Sequence, residues 1–411
     1  MTPKRPYLPA AASVLLITVS GRDTAGITSE LTGILARHQV TLMDISQAVI
    51  QKVLSLSLMI EAPADSLVED EILKDLLFKA NELSLKLDYQ KMDPALLKTP
   101  SQLSEVRHFA ITLIAEQISS TSLHEVTQVL ANWKINIDSI KKLSEGDFSC
   151  VEMLASSSGP INPLPIRKDL LIIAKDQNVD IALQAEGLYR KLKRLVVLDM
   201  DSTLIQSEVI DELAKEKGVY EEVSEITHQA MAGKMDYDES LRLRCAKLKG
   251  LPLQALEKVY QRIQLTPGAQ DLICVLKKLG YKVAVISGGF SFIADRLKER
   301  LGIDFSYANK LEIKDSALTG IVIPPIVNAQ RKADLLDAIA QQEKIGLDQV
   351  IAIGDGANDL LMLEKAGLGI AFNAKPLVRE QADLALSQKN MRSILYLLGL
   401  SARDIRQALP E

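Results

Sequence analysis

The chain has 411 residues, 47% apolar and 25% charged, with 48 basic against 53 acidic side chains and a net charge of −5. Such apolar content argues against wholesale disorder, and the lack of a basic excess argues against a general nucleic-acid or membrane-surface binder. Three scattered cysteines (Cys150, Cys245, Cys274) without a CxxC pair, and four dispersed histidines, argue against a disulfide framework and a structural zinc site; a reducing cytoplasm is expected.

Lys4 and Arg5 precede an apolar stretch, Ala10–Val19, that outlines a weak signal-peptide pattern. Ser13 and Thr18 interrupt it, and it runs straight into Gly21-Arg22-Asp23 as a strand entering a turn would. No run reaches the roughly 18 apolar residues of a membrane span, so neither a membrane nor a nucleic-acid partner is expected.

Val14–Val19 reads as a strand, and Thr28–His38 as a helix with Leu31, Ile34 and Leu35 on one face. Val40–Ile50 and Val53–Ile60 read as strands paired across Gln51-Lys52, Asp70–Asn81 as a helix and Leu83–Tyr89 as a strand. A polar connector with Pro94 and Pro100 spans Asp93–Glu105. The same order then recurs: Phe109–Ala115, helix Ser122–Trp133, strands Ile135–Leu143 and Phe148–Ala155, helix Arg167–Asp176, strand Val179–Ala185. "VTLMDIS" near Val40 and "INIDSI" near Ile135 mark the repeat. Two βαββαβ copies of about 80 residues suit small binding modules.

From Leu192 the texture changes. Leu195–Leu198, Val283–Ile286 and Val350–Ile353 are continuous apolar runs between helical segments, which predicts a parallel sheet covered on both faces. A charged, mostly helical insertion from Glu208 to Leu265 predicts a cap. The expected domains are 1–93, 106–188 and 192–411, with the cap at about 208–265.

Each apolar run ends in chemistry. Asp199-Met-Asp201 follows the first; a carboxylate pair at a strand end needs a cation or a proton between its members. Ser287-Gly288-Gly289 follows the second and offers a hydroxyl and close backbone N–H groups, suited to phosphate oxygens. Lys332 opens a helix. Gly354-Asp355-Gly356-Ala357-Asn358-Asp359 follows the third, an oxygen-rich turn suited to a hard cation such as Mg²⁺. Singly, each is an ordinary turn or a surface charge; together they make an acidic metal cradle beside a phosphate grip.

Two resemblances rest on these residues. "GRDTAGIT…VTLMDIS" and the βαββαβ order resemble the ferredoxin-like ACT domains, amino-acid-sensing modules that pair sheet to sheet. The second copy is degenerate, because "AEQISSTSL" lacks the turn glycine. Asp199-Met-Asp201-Ser, Ser287, Lys332 and Gly354-Asp355…Asp359 resemble the four motifs of the haloacid dehalogenase-like superfamily, which implies a doubly wound, Rossmann-like α/β core.

By that resemblance Asp199 is the nucleophile and Asp201 the general acid and base. One Mg²⁺ sits between Asp199, the Asp201 carbonyl and Asp355. Ser287, the Gly288 N–H and Lys332 hold the phosphoryl group, while Asn358 and Asp359 complete the site. Glu208 and "MAGKMDYDESLRLR" stand where phosphoserine phosphatases carry their cap motif. The implied substrate is O-phosphoserine, with Glu208 on its ammonium, Arg244 on its carboxylate, and Met231 and Tyr237 closing over it. Gly21, Asp23, Gly26 and Asp44 are the implied contacts of a serine or other amino-acid effector, and a homodimer is implied by ACT pairing. The residues leave open a phosphatase or phosphotransferase for another small phosphate ester. They also leave open an amino-acid sensor with an idle catalytic half.

Overall fold

A computed structural model describes residues 14–61, 65–93, 106–146, 148–187, 190 and 192–410. Lys4, Arg5 and the connector 94–105 lie outside the described residues. The chain forms two compact units, one ending at Glu105 and the other beginning at Val106.

The first unit runs β1 (Val14–Arg22), α1 (Ile27–Arg37), β2 (Leu42–Ile50), β3 (Val53–Glu61), α2 (Ser66–Glu82) and β4 (Lys86–Met92). Its antiparallel sheet has the order β2-β3-β1-β4. Strand periodicity sets the core: Leu15, Ile17 and Val19 of β1 and Leu54, Leu56, Leu58 and Ile60 of β3 point one way, into Leu31, Ile34, Ile72 and Leu76 of the helices. α2 starts at Ser66, a turn before the periodicity predicts, because the Asp65 carboxylate caps it by accepting from the Leu67 N–H at 3.0 Å. The edge strand β2 leaves Leu42, Met43, Ile45, Val49 and Ile50 exposed.

The second unit opens with the repeat: β5 (Val106–Ala115), α3 (Ser120–Asn132), β6 (Asn136–Lys142), β7 (Ser149–Ser158), α4 (Pro163–Asp176) and β8 (Asp180–Ala185), in the order β6-β7-β5-β8. Where the first copy enters its helix through Gly26, this copy uses the Ser119 hydroxyl, which accepts from the Ser122 N–H.

The remainder comprises β9 (Leu195–Leu198), α5 (Val209–Lys217), α6 (Tyr220–Met231), α7 (Tyr237–Lys247), α8 (Leu253–Arg262), α9 (Ala269–Lys278), β10 (Lys282–Phe290) and α10 (Ser291–Leu301). After these come β11 (Phe305–Lys314), β12 (Ala317–Ile323), α11 (Ala329–Gln342), β13 (Val350–Gly354), α12 (Leu360–Lys365) and β14 (Leu368–Phe372). The chain closes with α13 (Pro376–Gln381), β15 (Leu384–Leu386), α14 (Ser393–Leu397) and α15 (Ala402–Ala408). Seven strands form one sheet, β12-β11-β10-β9-β13-β14-β15, parallel except for the β11–β12 hairpin, which the sequence reading did not anticipate. Val196 and Leu198 of β9 enter one apolar cluster while Leu195 and Val197 enter the other, so the central strand is buried on both faces. α5 to α8 form the cap.

The repeat and this α/β core share a buried interior, in which Ile114, Leu143, Cys150 and Ala182 pack with Leu395, Leu397 and Ile405. Polar pins surround it. Asp180 accepts from the N–H groups of Ser387 and Gln388 at 2.7 and 3.1 Å just beyond β15. Arg167 pairs with Asp383 at 3.0 Å, and buried Arg190 reaches both Glu152 and Glu186. Burial raises the Asp180 carboxyl above its ordinary range, against the pull of its hydrogen bonds.

Candidate active site

β10, β9 and β13 are adjacent and parallel, so the segments leaving their carboxyl ends emerge on one side of the sheet. After β9 the chain makes a tight turn, Met200–Leu204, in which Ser202 has φ 57°. That left-handed conformation is uncommon outside glycine, and here the Ser202 hydroxyl donates to Glu208 at 2.8 Å. Asp201 Oδ1 accepts from the Val209 N–H at 3.1 Å, at the start of the first cap helix, and its Oδ2 lies 3.4 Å from Ser287 Oγ.

The irregular end of β10 is held by the Gly289 N–H donating to Ser287 Oγ at 2.8 Å. A Cβ at position 288 would lie 2.3 Å from the Tyr237 hydroxyl, and one at 289 would lie 2.1 Å from Asp201 Oδ2. Both glycines are therefore there for space. α11 is capped by Asn328 and carries Lys332, which is fully buried and donates to Asp199 Oδ1 and Asp359 Oδ1 at 2.6 Å each. After β13, Asp355 accepts from the Thr203 hydroxyl at 2.8 Å, and Asp359 accepts from the Gly356 N–H at 2.9 Å.

One lysine among so many carboxylates leaves an excess of negative charge. Burial first, then Asp359, pushes the Asp199 carboxyl well above its usual range, with Lys332 opposing. Burial and Glu208 raise Asp201 to about 8, and burial and Asp359 raise Asp355 to about 6. Lys332 stays charged: burial opposes it, but the carboxylates of Asp199 and Asp359 more than compensate. Carboxylate oxygens of Asp199, Asp355 and Asp359 lie within 4.8 Å of one another. An all-oxygen donor set with unneutralised charge is what a hard divalent cation requires, so these residues fit Mg²⁺.

Above these carboxylates opens a cleft of about 530 Å³. Its lining includes Asp199, Asp201, Glu208, Met231, Tyr237, Arg244, Gly288, Asp355 and Asn358, so the motifs from the core and from the cap meet in one place. Tyr237 donates to the Gly288 carbonyl at 3.1 Å, joining cap to core. Ser287, Lys332 and Asp359 sit fully buried just beneath.

Asp211, Met235 and Lys375 also line the cleft and were missed by the sequence reading. Asp211 was findable, being one helical step of three beyond Glu208; burial and Glu208 raise its carboxyl. Lys375 lies just past the apolar strand Leu368–Phe372, a fourth strand end of the same kind.

In the first unit, Gly21 is the penultimate residue of β1, Asp23 is exposed with its N–H on the Lys52 carbonyl, and Gly26 precedes α1. Asp44 is exposed on β2, separated from β1 by β3, and its carboxylate accepts from the Ile45 N–H. Trp133 is half-buried against the second module's core and donates to Asp169 at 2.9 Å; His228 is exposed.

Comparison with known proteins adds three findings. A haloacid dehalogenase-like hydrolase family model matches residues 193–367, and ACT-domain models match 13–90 and 107–184. A phosphoserine phosphatase of Mycobacterium tuberculosis is 38% identical over 403 residues, covering 98% of this chain and 96% of that protein. One from Streptomyces coelicolor is 40% identical, covering 96% and 94%. Among solved structures, a haloacid dehalogenase family hydrolase from Salmonella enterica serovar Typhi matches with a TM-score of 0.64 at 33% identity, over 71% of this chain and 98% of that one.

Proposed function

The chain belongs to the phosphoserine phosphatases of the haloacid dehalogenase-like hydrolases, and on that premise we propose that it hydrolyses O-phosphoserine to serine and inorganic phosphate through an aspartyl phosphate. The observation that carries the reading is buried Lys332 bridging Asp199 and Asp359 beneath a cleft lined by Glu208 and Arg244.

A carboxylate oxygen of Asp199 attacks phosphorus, and the bond from phosphorus to the serine oxygen breaks. Asp201, whose carboxyl is raised by burial and by Glu208, gives its proton to that oxygen as serine leaves. It then takes a proton from the water that attacks phosphorus, which frees phosphate and restores Asp199. Lys332, the Ser287 hydroxyl and the Gly288 N–H hold the phosphoryl oxygens, and Asn358 completes the wall of the cleft. Asp359 keeps Lys332 in line. Asp199, Asp355 and the Asp201 carbonyl would hold Mg²⁺, which when bound would supply positive charge to offset carboxylate–phosphate repulsion.

Glu208 takes the substrate's ammonium and Arg244 its carboxylate, with Met231 and Tyr237 as the lid. Turnover of phosphoserine against a sugar phosphate tests this assignment. Arg244→Ala removes a hydrogen bond to the substrate's carboxylate, worth about 1.5–3 kcal/mol, or about 10- to 100-fold in kcat/KM for phosphoserine, and Glu208→Gln keeps an acceptor but lowers kcat/KM by removing the charge that pairs with the ammonium. The sugar phosphate rate stays unchanged in Arg244→Ala. Equal wild-type rates on both esters would refute the serine assignment.

The first ACT module takes an amino-acid effector, serine or a relative, at Gly21, Asp23, Gly26 and Asp44, and two copies of the chain pair through these modules. The exposed apolar edge strand β2 supports the pairing. Calorimetric titration of the full chain with amino acids reads the effector site, and no heat beyond the active-site signal rejects it. Free thiols at Cys150, Cys245 and Cys274 are consistent with a cytoplasmic enzyme. Among the described residues no helix is long and apolar enough to cross a membrane.

A further inference from the structure

The cap joins the core through two linkers, one leaving the nucleophile turn and one returning to α9. They pair with each other. Ile205 bridges Leu265 in antiparallel fashion, the Gln206 N–H donates to the Gln264 carbonyl at 3.0 Å, and Gln206 Nε2 donates to the Leu265 carbonyl at 2.9 Å. Just past this pairing, the Thr266 N–H donates to the Leu204 carbonyl at 3.0 Å. The Thr266 side chain, 7% exposed, turns inward and donates to the Thr203 carbonyl at 2.6 Å. Thr203 is fully buried, and its own hydroxyl donates to Asp355 Oδ1 at 2.8 Å. A carbonyl anchored by Thr266 fixes the peptide from which the Thr203 side chain springs. That in turn fixes the direction of the hydroxyl and the rotamer of Asp355.

We propose that Thr266 is a positioning residue for Asp355, acting through Thr203, and that it ties the carboxylate assigned to the cation to the hinge of the cap. The proposal rests on the reading above that Asp355 holds the divalent ion. The far side of Thr266 is also anchored. The Pro267 carbonyl accepts from the Met391 N–H at 2.8 Å, and Met391 lies in the segment whose earlier N–H groups, at Ser387 and Gln388, Asp180 of the second ACT-like module binds. The hinge is thus held from the core side by a contact chain that begins in that module. Orienting partners of metal-holding carboxylates affect cation affinity directly, before any substrate arrives.

Calorimetric titration of the full chain with Mg²⁺ alone, without substrate, tests the proposal. Thr266→Val keeps the shape and removes the hydroxyl, and Mg²⁺ binds about tenfold or more weakly. Thr266→Ser keeps the hydroxyl and removes the methyl, and affinity stays within about twofold of wild type. Thr203→Val weakens binding too, and adding Thr266→Val to it costs little more, because the second residue acts through the first. Wild-type affinity in Thr266→Val, equal loss in the serine and valine variants, or additive losses in the double variant each overturn the proposal. Absence of Mg²⁺ binding by the wild type overturns both this proposal and the cation assignment, whereas wild-type binding without phosphoserine turnover overturns only the substrate reading.

Discussion

Asp199→Asn is expected to lose at least about 10⁴-fold in phosphoserine turnover, equivalent to about 5 kcal/mol of transition-state stabilisation. An amide cannot form the acyl phosphate, and phosphate monoesters hydrolyse too slowly unaided for direct attack by water to compensate. The substitution also removes one charge from a crowded site where burial and neighbouring carboxylates already push Asp199 toward protonation. Lys332 keeps its bond to Asp359, and a urea midpoint near that of wild type is the check that lost activity reports chemistry rather than unfolding. Phosphate release, with acid-quenched trapping of the labelled acyl phosphate in the wild type, is the measurement. Residual activity above about one part in a hundred would move the nucleophile elsewhere.

Lys332→Met is expected to damage both activity and stability. The ammonium group is fully buried and bonded at 2.6 Å to two carboxylates, so its loss strands two buried charges. Breaking a buried pair by removing one partner costs about 3–5 kcal/mol. The cost depends on pH with a definite sign. Without the lysine, the Asp199 carboxyl rises further above its unfolded value, so the folded state binds more protons than the unfolded one at intermediate pH. Stability then falls as pH rises through that range. Urea denaturation at pH 5 and pH 8 checks this, with the variant closer to wild type at the lower pH. Equal denaturation midpoints for variant and wild type at both values would show that the lysine is not buried between carboxylates. Lys332→Arg keeps the charge but brings a larger planar head into a fully enclosed space, and is expected to recover part of the stability and little of the activity.

The legible part of this molecule was the part whose physics is local or periodic. Alternation in Leu54–Ile60 and the unbroken run Leu195–Leu198 declare how many faces of a strand are buried, and both are read over a few residues. Asp199, Ser287 and Asp355 were legible as candidates because each directly follows such an apolar run, where a parallel sheet delivers its ligand-binding groups. Lys332 carried weight only in company with them, since nothing local separates it from a surface lysine.

Thr266 was invisible for the opposite reason. A threonine has no periodicity to betray it, and its acceptor, the Thr203 carbonyl, lies sixty-three residues away. The pins between the second module and the core span more than two hundred residues, from Asp180 to Ser387, and the β11–β12 hairpin follows a parallel strand where the alternation predicts a crossover. In chain order, then, the amino acids determined the kinds of group available, their places at strand ends and the fold class that gathers them, because backbone periodicity and steric preference act over short distances. Only the tertiary structure decided which hydroxyl orients which carboxylate, how one lysine is shared between two acids, and that the second ACT-like module is built into the catalytic unit. Hydrogen-bond direction and burial are properties of groups brought together from remote stretches of chain.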